Sequence, residues 1–343
     1  MSESLQDIAH RLVVPQKGIL AADESSGTIK KRFDTIGLPS TEENRRNYRE
    51  MLFGATKAMH DHISGVILFD ETIRQNAKDG TPLVKMIEDA GSLPGIKVDM
   101  GAIPMVGFPG ETITEGLDGL GKRLAEYRRL GARFAKWRAA IAISKVLPTS
   151  GCVYANAHAL ARYAALCQSE DIVPIVEPEV LMDGKEATHD IERCHAVTQE
   201  VLRVVFEELV RMRVDLTAMI LKPNMVVPGK DSGQVVGADE IAERTVAVFH
   251  ASVPTVVPGI AFLSGGQGDE EATANLSAIN RIKGLPWKIT FSYGRALQAA
   301  ALKAWDGKDA NVEAGRAAFL HRAEMNGLAT LGEWSEAKEK AAA

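Results

Sequence analysis

At 343 residues, the chain is long enough for one large barrel-type domain or two domains of ordinary size. Hydrophobic residues make up 45% of it and charged residues 25%, the usual composition of a globular protein. The formal net charge of -5 excludes the polybasic signature of proteins that bind nucleic acid or anionic lipid, so small molecules are the expected partners.

Three further features of the sequence indicate a reducing, cytoplasmic setting. The N-terminal segment carries an early acid, Glu3, and lacks the apolar core of a secretory signal peptide. No stretch approaches the roughly 18 uninterrupted apolar residues of a membrane span. Cys152, Cys167 and Cys194 form an odd set without C-x-x-C spacing, which argues against a disulfide framework or a zinc site. We therefore expect a cytoplasmic protein that binds no nucleic acid and no membrane.

In chain order, a short amphipathic helix over residues 1–14 precedes a series of apolar runs that end in polar or charged residues. Eight such runs are predicted as strands, over residues 18–24, 65–71, 96–99, 134–141, 172–179, 218–225, 259–264 and 288–294. Helical patterns cover residues 41–60, 117–130, 154–169, 190–212, 239–251, 294–305 and 312–326. Strands that alternate with helices indicate parallel βαβ units.

Eight such units in a chain of this length favour an α/β fold of the closed (β/α)8 TIM barrel type over an open sheet. The alternative is a doubly wound sheet, but no G-x-G-x-x-G motif follows the first predicted strand. No repeat, low-complexity tract or linker divides the chain, so residues 1–343 are predicted to form a single domain. The charged, alanine-rich residues 334–343 are expected to be a flexible tail, either frayed or a weak helix.

Charged residues stand at the carboxyl ends of the predicted strands, where barrels of this kind carry their chemistry. They are Asp23, Lys97 with Asp99, Lys136 with Arg138, Glu177 with Glu179, and Lys222. Residues i and i+2 of a strand face the same side, so three strands direct two charges each into the barrel mouth. Burying these charges unpaired would be costly, which favours a network shaped for a charged substrate. Exposure at the rim is an equal alternative for Asp99 and Glu179.

Lys222 interrupts the apolar run of the sixth predicted strand, residues 218–225. Burial disfavours the ammonium form of a lysine, and a nearby cation such as Lys136 would favour the neutral amine further, so Lys222 is a candidate nucleophile. The alternative is a lysine that snorkels to solvent or pairs with an acid at the strand end. The pattern of residues alone does not show which of three lysines is the nucleophile, Lys97, Lys136 or Lys222.

The last two predicted strands lead into glycine-containing loops. Glycines let backbone N–H groups approach an anion, and the loops after strands seven and eight of such barrels commonly hold phosphate. An arginine in the second loop would add a planar, charge-assisted contact. The candidate anion-binding residues are Ser264, Gly265, Gly266, Ser292, Gly294 and Arg295.

Two groups of possible metal ligands are not interpreted as sites. The HDH sequence at residues 60–62 precedes the second predicted strand, so it falls at the amino face of the barrel. His189, Glu192 and His195 have helical spacing but lack a further ligand. We therefore expect no metal.

Nine stretches, spread in order over nearly the whole chain, point together to one family. They are LAADES (20–25), TEENRR (41–46), GVILF (65–69), GIKVD (95–99), AKWR (135–138), IVEPE (175–179), LKPNM (221–225), FLSGGQ (262–267) and FSYGRAL (291–297). The pattern closely resembles class I fructose-1,6-bisphosphate aldolase, the Schiff-base type. The resemblance implies reversible cleavage of fructose 1,6-bisphosphate to dihydroxyacetone phosphate and glyceraldehyde 3-phosphate in glycolysis or gluconeogenesis. It also implies a homotetramer that needs no cofactor.

By this resemblance, Lys222 forms an imine with dihydroxyacetone phosphate or the ketose. The protonated imine is an electron sink for the carbanion left when the bond between carbons 3 and 4 breaks, so no metal is needed for that role. Glu177 would move protons during carbinolamine formation and dehydration, and Lys136 would assist electrostatically. Asp23 would take the proton from the carbon-4 hydroxyl, and Glu179 is counted with the catalytic residues.

The same resemblance divides the substrate-binding residues between two phosphates. The residues expected at the carbon-1 phosphate are Ser264, Gly265, Gly294 and Arg295, together with Gly266 and Ser292 of the same loops. The residues expected at the other phosphate are Lys97, Arg138, Thr28, Lys31 and Arg32.

The chain departs from the family at three points. Met100 stands where animal members have a lysine, and Thr28 stands where a serine is usual. The family's C-terminal tyrosine, which mediates proton exchange at carbon 3, has no counterpart after Tyr293, so we expect that exchange to be slow or to use another group. The alternatives for function are a related lysine aldolase or transaldolase for another sugar phosphate, and a phosphosugar-binding barrel without turnover.

Overall fold

The computed structural model describes residues 3–184 and 187–341, so residues 1–2 of the predicted N-terminal helix and residues 342–343 of the predicted tail lie outside it. The first half contains α1 (Leu5–Leu12), β1 (Gly18–Ala22), α2 (Ser26–Asp34), α3 (Glu42–Phe53), α4 (Thr56–His62), β2 (Ile63–Leu68), α5 (Asp70–Ile73), α6 (Leu83–Asp89), β3 (Leu93–Lys97), β4 (Ala102–Pro104), β5 (Thr112–Thr114), α7 (Leu120–Arg129), β6 (Phe134–Ile141) and α8 (Ser150–Ser169).

The second half contains β7 (Val173–Val180), α9 (Ile191–Arg211), β8 (Ile220–Leu221), α10 (Ala238–Ser252), β9 (Gly259–Phe262), α11 (Asp269–Arg281), β10 (Lys288–Tyr293), α12 (Arg295–Trp305), α13 (Val312–Ala329) and α14 (Glu336–Ala341). Two short 3-10 turns cover Leu216–Ala218 and Asp309–Asn311. None of the described helices is both long enough and apolar enough to cross a membrane.

Eight parallel strands close into a barrel in the order β1-β10-β9-β8-β7-β6-β3-β2. Each of the eight predicted strands corresponds to one of them, so the predicted (β/α)8 barrel is confirmed. The strand bounds differ by a few residues. The largest difference is at the sixth predicted strand, residues 218–225, of which only Ile220–Leu221 is strand.

The structure differs from the sequence prediction in several elements, and α2, α5 and α6 have no counterpart among the predicted helices. The pattern over residues 41–60 predicts one helix, but the structure has two, because α3 ends at Phe53 and the chain is not helical at Gly54 and Ala55. The hairpin of β4 and β5 is missing from the prediction. Its two strands pair antiparallel, and β5 packs against β6.

The interior of the barrel is filled at its amino end. α1 buries Ile8, Ala9 and Leu12 there, and these side chains pack in one cluster with Phe134 and other inward-facing strand residues. Gly95 provides the space for the Phe134 ring, since a Cβ at Gly95 would lie 2.3 Å from it. This packing closes the amino end and leaves the carboxyl end of the barrel for the polar residues.

Candidate active site

Lys222 follows β8 directly and lies at the carboxyl end of the barrel, with its side chain 4% exposed. Its backbone N–H donates to Val176 O at 2.8 Å, so the lysine continues the pairing with β7. Pro223 has no N–H and ends that pairing. Beyond it, the Asn224 side chain replaces the backbone, because its Oδ1 accepts the Val180 N–H at 3.0 Å. The backbone is therefore fixed on both sides of the lysine.

Glu177 on β7 lies between two lysines. Its Oε1 is 3.2 Å from Lys222 Nζ, and its Oε2 is 3.4 Å from Lys136 Nζ. All three side chains are almost fully buried. Among the described residues, Glu177 Oε2 makes no hydrogen bond, and its contact with Lys136 Nζ is an ion pair. A buried carboxyl group 3.2 Å from the Lys222 nitrogen is placed to take up and return a proton there.

Lys136 on β6 is the centre of the ion pairs in the site. Its Nζ lies 2.8 Å from Asp23 Oδ2, 3.4 Å from Glu177 Oε2 and 3.9 Å from Asp99 Oδ2. Burial acts to lower the pKa of Lys136, but the three carboxylates outweigh burial and raise this pKa above its usual value. Lys136 is therefore a fixed cation, held in place by its partners.

Asp23 follows β1 and faces the same cluster. Burial alone would raise the pKa of Asp23, but the ammonium groups of Lys136 and Lys222 outweigh burial and lower the pKa to about 2. The Asp23 carboxyl group is therefore ionised at neutral pH. It can accept a hydrogen bond or a proton from a hydroxyl group of a ligand in the barrel mouth.

Asp99 and Glu179 are both buried. The alternative interpretation of these two residues, exposure at the rim of the barrel, is therefore not what the structure has. Asp99 Oδ1 lies 2.6 Å from Lys97 Nζ, and Glu179 pairs with Arg138 Nε. The negative charge of Glu179 raises the pKa of Arg138 above its usual value. The network predicted from the charges at the strand ends is thus present, with cations and anions next to each other.

A cavity of about 490 Å³ opens among these side chains. All but one of the predicted site residues line it, namely Asp23, Thr28, Lys31, Arg32, Lys97, Lys136, Arg138, Glu177, Glu179, Lys222, Ser264, Gly265, Ser292, Gly294 and Arg295. Gly266 is the exception. A Cβ at Gly266 would lie 2.8 Å from Lys230 and 3.0 Å from Asp183, so this glycine packs closely against neighbouring loops.

The loops after β9 and β10 form one end of the cavity. Gly265 has a φ of 55°, in the left-handed region that favours glycine. Arg295, the first residue of α12, donates from Nη2 to Gly265 O at 2.8 Å and so joins the two loops. Ser292 Oγ is buried and has no hydrogen-bond partner in the described part of the chain. These groups can receive an anion.

Arg32, which is predicted to face the other phosphate, has its guanidinium at this same end of the cavity. A Cβ at Gly294 would be 3.2 Å from Arg32 Nη2. The reason is an acidic residue, Glu24, which pairs with Arg32 and also accepts the Gln298 Nε2–H from α12 at 3.0 Å. Arg32 is thereby held beside the loop after β10.

Glu24 is the main residue of the cavity that the sequence does not single out. It is 6% exposed, and its Oε2 lies 3.6 Å from the buried guanidinium of Arg49. The only signal in the sequence is its position directly after Asp23. Its partners on α3 and α12 are distant along the chain, so the pattern of the sequence does not reveal them.

The two groups of possible metal ligands remain outside the cavity. Residues 60–62 end α4 before β2, at the amino end, and His60 Nδ1 lies 2.7 Å from Asp61 Oδ1. His189 precedes α9, so it is not on the same helix as Glu192 and His195 although the three have helical spacing in the sequence. Within residues 3–184 and 187–341, no three His, Cys, Asp or Glu side chains are grouped to hold a metal ion.

Comparison with known proteins gives one consistent result. The family model for class I fructose-bisphosphate aldolase matches residues 4–343. A protein of Xanthomonas campestris pv. campestris, described as a probable fructose-bisphosphate aldolase class 1, is 54% identical over 334 residues, which cover 97% of this chain and 98% of that protein. Fructose-bisphosphate aldolase C of Carassius auratus is 52% identical over 331 residues, which cover 96% of this chain and 90% of that protein.

A solved structure agrees with these relatives. Fructose-bisphosphate aldolase from Plasmodium falciparum, in a ternary complex with TRAP and a small-molecule inhibitor, matches with a TM-score of 0.93. The two sequences are 47% identical, and the match covers 96% of this chain and 95% of that one.

The fold and the charged cavity at its carboxyl end define a (β/α)8-barrel enzyme. Within that class, the chain belongs to the class I fructose-bisphosphate aldolases, which are lyases. The resemblance of the nine sequence stretches to this family is thereby confirmed.

Proposed function

We propose that this aldolase cleaves fructose 1,6-bisphosphate reversibly through a Schiff base on Lys222, without a metal. The observation that carries the proposal is the burial of Lys222 beside Glu177, 3.2 Å away, in a cavity lined by further cations. A lysine that merely snorkelled would bring its ammonium group into solvent, whereas the Lys222 side chain is 4% exposed.

The first stage forms the imine. Lys222 first gives its ammonium proton to Glu177, 3.2 Å from Nζ. The neutral amine then attacks carbon 2 of the open-chain ketose, and a proton moves from the nitrogen to the carbonyl oxygen to give a carbinolamine. Glu177, in contact with Lys222 Nζ, then donates a proton to the carbinolamine hydroxyl, which leaves as water. Lys136 remains charged and stabilises Glu177 as a carboxylate after the proton has left.

The second stage breaks the bond between carbons 3 and 4. Asp23 accepts the proton of the carbon-4 hydroxyl, and carbon 4 becomes the aldehyde of glyceraldehyde 3-phosphate. The electron pair of the broken bond moves to the imine nitrogen and leaves an enamine on Lys222. Protonation of carbon 3 and addition of water at carbon 2 then release dihydroxyacetone phosphate and the free amine. Because the iminium takes the electron pair, this step needs no metal.

The cations of the cavity support a substrate with two phosphates. The groups at the carbon-1 phosphate are Ser264, Gly265, Ser292, Gly294 and Arg295, with Arg32 beside them. The groups for the second phosphate are Thr28, Lys31, Lys97 and Arg138. A monophosphate would leave one set of charges without a partner, so this division favours fructose 1,6-bisphosphate over fructose 1-phosphate.

A cleavage assay coupled to glyceraldehyde-3-phosphate dehydrogenase tests the proposal. Enzyme dialysed against EDTA should keep its full rate with fructose 1,6-bisphosphate, and Lys222→Met should lower kcat by about 1,000-fold or more. Lys122→Met, which removes an exposed lysine of α7 outside the cavity, is the matched control and should stay near the native rate. A rate that EDTA abolishes, or an active Lys222→Met, contradicts the proposal.

Four expectations from the sequence stay predictions. They are the pathway, the cytoplasmic location, the homotetramer, and a proton exchange at carbon 3 that is slow or uses another group.

A further inference from the structure

Glu339, near the C-terminus, is a buried acid outside the cavity. It lies on α14, is 6% exposed, and pairs with Arg322 of α13. Its Oε2 also accepts the Trp334 Nε1–H at 2.7 Å, and its Oε1 lies 2.8 Å from His321 Nε2. Burial alone would raise the pKa of Glu339, but these hydrogen bonds and the charge of Arg322 outweigh burial and lower it. The carboxylate is therefore ionised at neutral pH.

Arg322 connects this acid to the beginning of α11. The arginine is 4% exposed, and its Nη2 donates to Thr273 Oγ1 at 2.6 Å and to Asp269 O at 3.2 Å. Thr273 Oγ1 also lies 3.0 Å from Asn326 Oδ1 of α13. The first turn of α11 is therefore joined to α13 by the buried guanidinium of Arg322 and by the Thr273–Asn326 hydrogen bond.

A cation at this place requires a counter-charge. The N-terminus of a helix is the positive end of its dipole, so Arg322 beside the first turn of α11 is unfavourable without a nearby anion. Asp269, Glu270 and Glu271 of the first turn are acidic as well, but among the described residues it is Glu339 that forms an ion pair with Arg322. Glu339, with its lowered pKa and direct contact, supplies the compensating charge.

Helix α11 supports the loop of residues 264–268, of which Ser264 and Gly265 line the cavity. Asn275 on α11 donates to Gln267 Oε1 at 2.7 Å, and Gln267 Nε2 donates to Ser264 O at 3.1 Å. The loop carbonyls of Gly265 and Gln267 in turn accept hydrogen bonds from Arg295 Nη2, at 2.8 and 3.2 Å. A shift of α11 would thus move the backbone groups and the arginine at the carbon-1 phosphate together.

We infer that Glu339 is a positioning residue for the anion-binding loop of residues 264–268. By neutralising Arg322, it holds the first turn of α11 where the loop and Arg295 can receive a phosphate. Glu339 touches neither the substrate nor the reacting atoms, so its effect is on binding. This inference rests on the proposed role of the loop as the carbon-1 phosphate site.

The test compares Glu339→Gln with Glu336→Gln. Glu336 is an exposed acid on the same helix, and within the described residues its one ion pair is with Lys340, at 3.8 Å. In Glu339→Gln, the KM for fructose 1,6-bisphosphate should rise about five- to tenfold while kcat stays near the native value. The Kd for inorganic phosphate, measured by calorimetry, should rise by a similar factor. Glu336→Gln should match the native enzyme in all three quantities.

Further variants separate positioning from general destabilisation. Glu339→Asp keeps the charge and should restore part of the lost phosphate affinity. Trp334→Phe removes one hydrogen bond to the carboxylate and should raise the KM by a smaller factor, and this variant decides the question if Glu339→Gln does not fold. A KM and a phosphate Kd that stay native in both Glu339→Gln and Trp334→Phe would overturn the inference, as would a loss of kcat in parallel with melting temperature.

The phosphate titration also separates this inference from the proposed function. If native enzyme fails to cleave the bisphosphate but binds phosphate more tightly than Glu339→Gln does, the proposed function fails and the inference stands. If native enzyme turns over but the variants bind phosphate equally, the inference fails alone. Native enzyme that binds no phosphate overturns the inference.

Discussion

Lys136 sets the charge balance among the residues nearest to Lys222. It contacts Asp23, Glu177 and Asp99, and it is one of the three cations that bring the pKa of Asp23 to about 2. Without such a cation, three buried carboxylates would face one another and at least one would take up a proton. In the proposed mechanism, Lys136 therefore keeps Asp23 ionised and ready to accept a proton.

Lys136→Met should lower kcat/KM by about 100- to 1,000-fold, because one buried charge next to the reacting groups is lost. Removing the Lys136 ammonium also lets the pKa of Asp23 rise from about 2. The base would then be protonated at a higher pH, so the acid limb of the residual kcat/KM profile should move to higher pH. The measurement is the pH dependence of kcat/KM for both enzymes.

Lys308→Met removes an exposed lysine and serves as the control for Lys136→Met, with a profile expected to match that of native enzyme. An acid limb in Lys136→Met that stays where the native one lies would show that Lys136 does not govern the ionisation of Asp23.

At the scale of elements, β8 is the strand on which the site depends, and it is also the shortest in the barrel, with two residues. The apolar run of residues 218–225 predicts its place but not its length. Pro223 interrupts the backbone pairing, and Asn224 replaces it with side-chain contacts to Val180, Thr198 and Met225. Two of these contacts are to residues on β7 and α9, so the pattern of residues 218–225 alone cannot predict them.

Asn224→Ala should lower the free energy of unfolding by about 1–3 kcal/mol, because the buried Val180 N–H loses its acceptor. The backbone beside Lys222 also loses its support, so kcat should fall as well. Urea denaturation and the coupled assay measure the two effects. Asn280→Ala is the control, since in the described part of the chain the Asn280 side chain hydrogen-bonds only to Leu276 O of its own helix. Equal stability and activity of the two variants would contradict the role given to Asn224.

Two further elements show why the hydrophobic pattern within a segment does not always predict its secondary structure. The interruption between α3 and α4 is small, with Gly54 ending one helix and Thr56 beginning the next, so the helical pattern runs almost unchanged across it. The β4–β5 hairpin has only three residues in each strand, and all of β4 is exposed, so it has no buried stripe to mark it. In both cases the hydrophobic pattern carries little information.

For the whole molecule, the barrel rule accounts for most of what the sequence predicts about the site. Parallel strands bring their carboxyl ends to one face, so charges at the ends of separate strands must meet there. This places Lys222, Glu177, Lys136 and Asp23 together without knowledge of any contact. The rule does not predict ion pairs that involve the outer helices and loops. Glu24 with Arg49, and Glu339 with Arg322, are therefore known only from the structure.

The most direct test of the central claim is to trap the covalent intermediate and map its position. Dihydroxyacetone phosphate is added to the enzyme with sodium borohydride and EDTA, and the digested protein is analysed by mass spectrometry. The account predicts a reduced adduct on the peptide that contains Lys222, and no adduct in Lys222→Met. An unmodified Lys222, or an adduct carried by Lys136 or Lys97 instead, would contradict it.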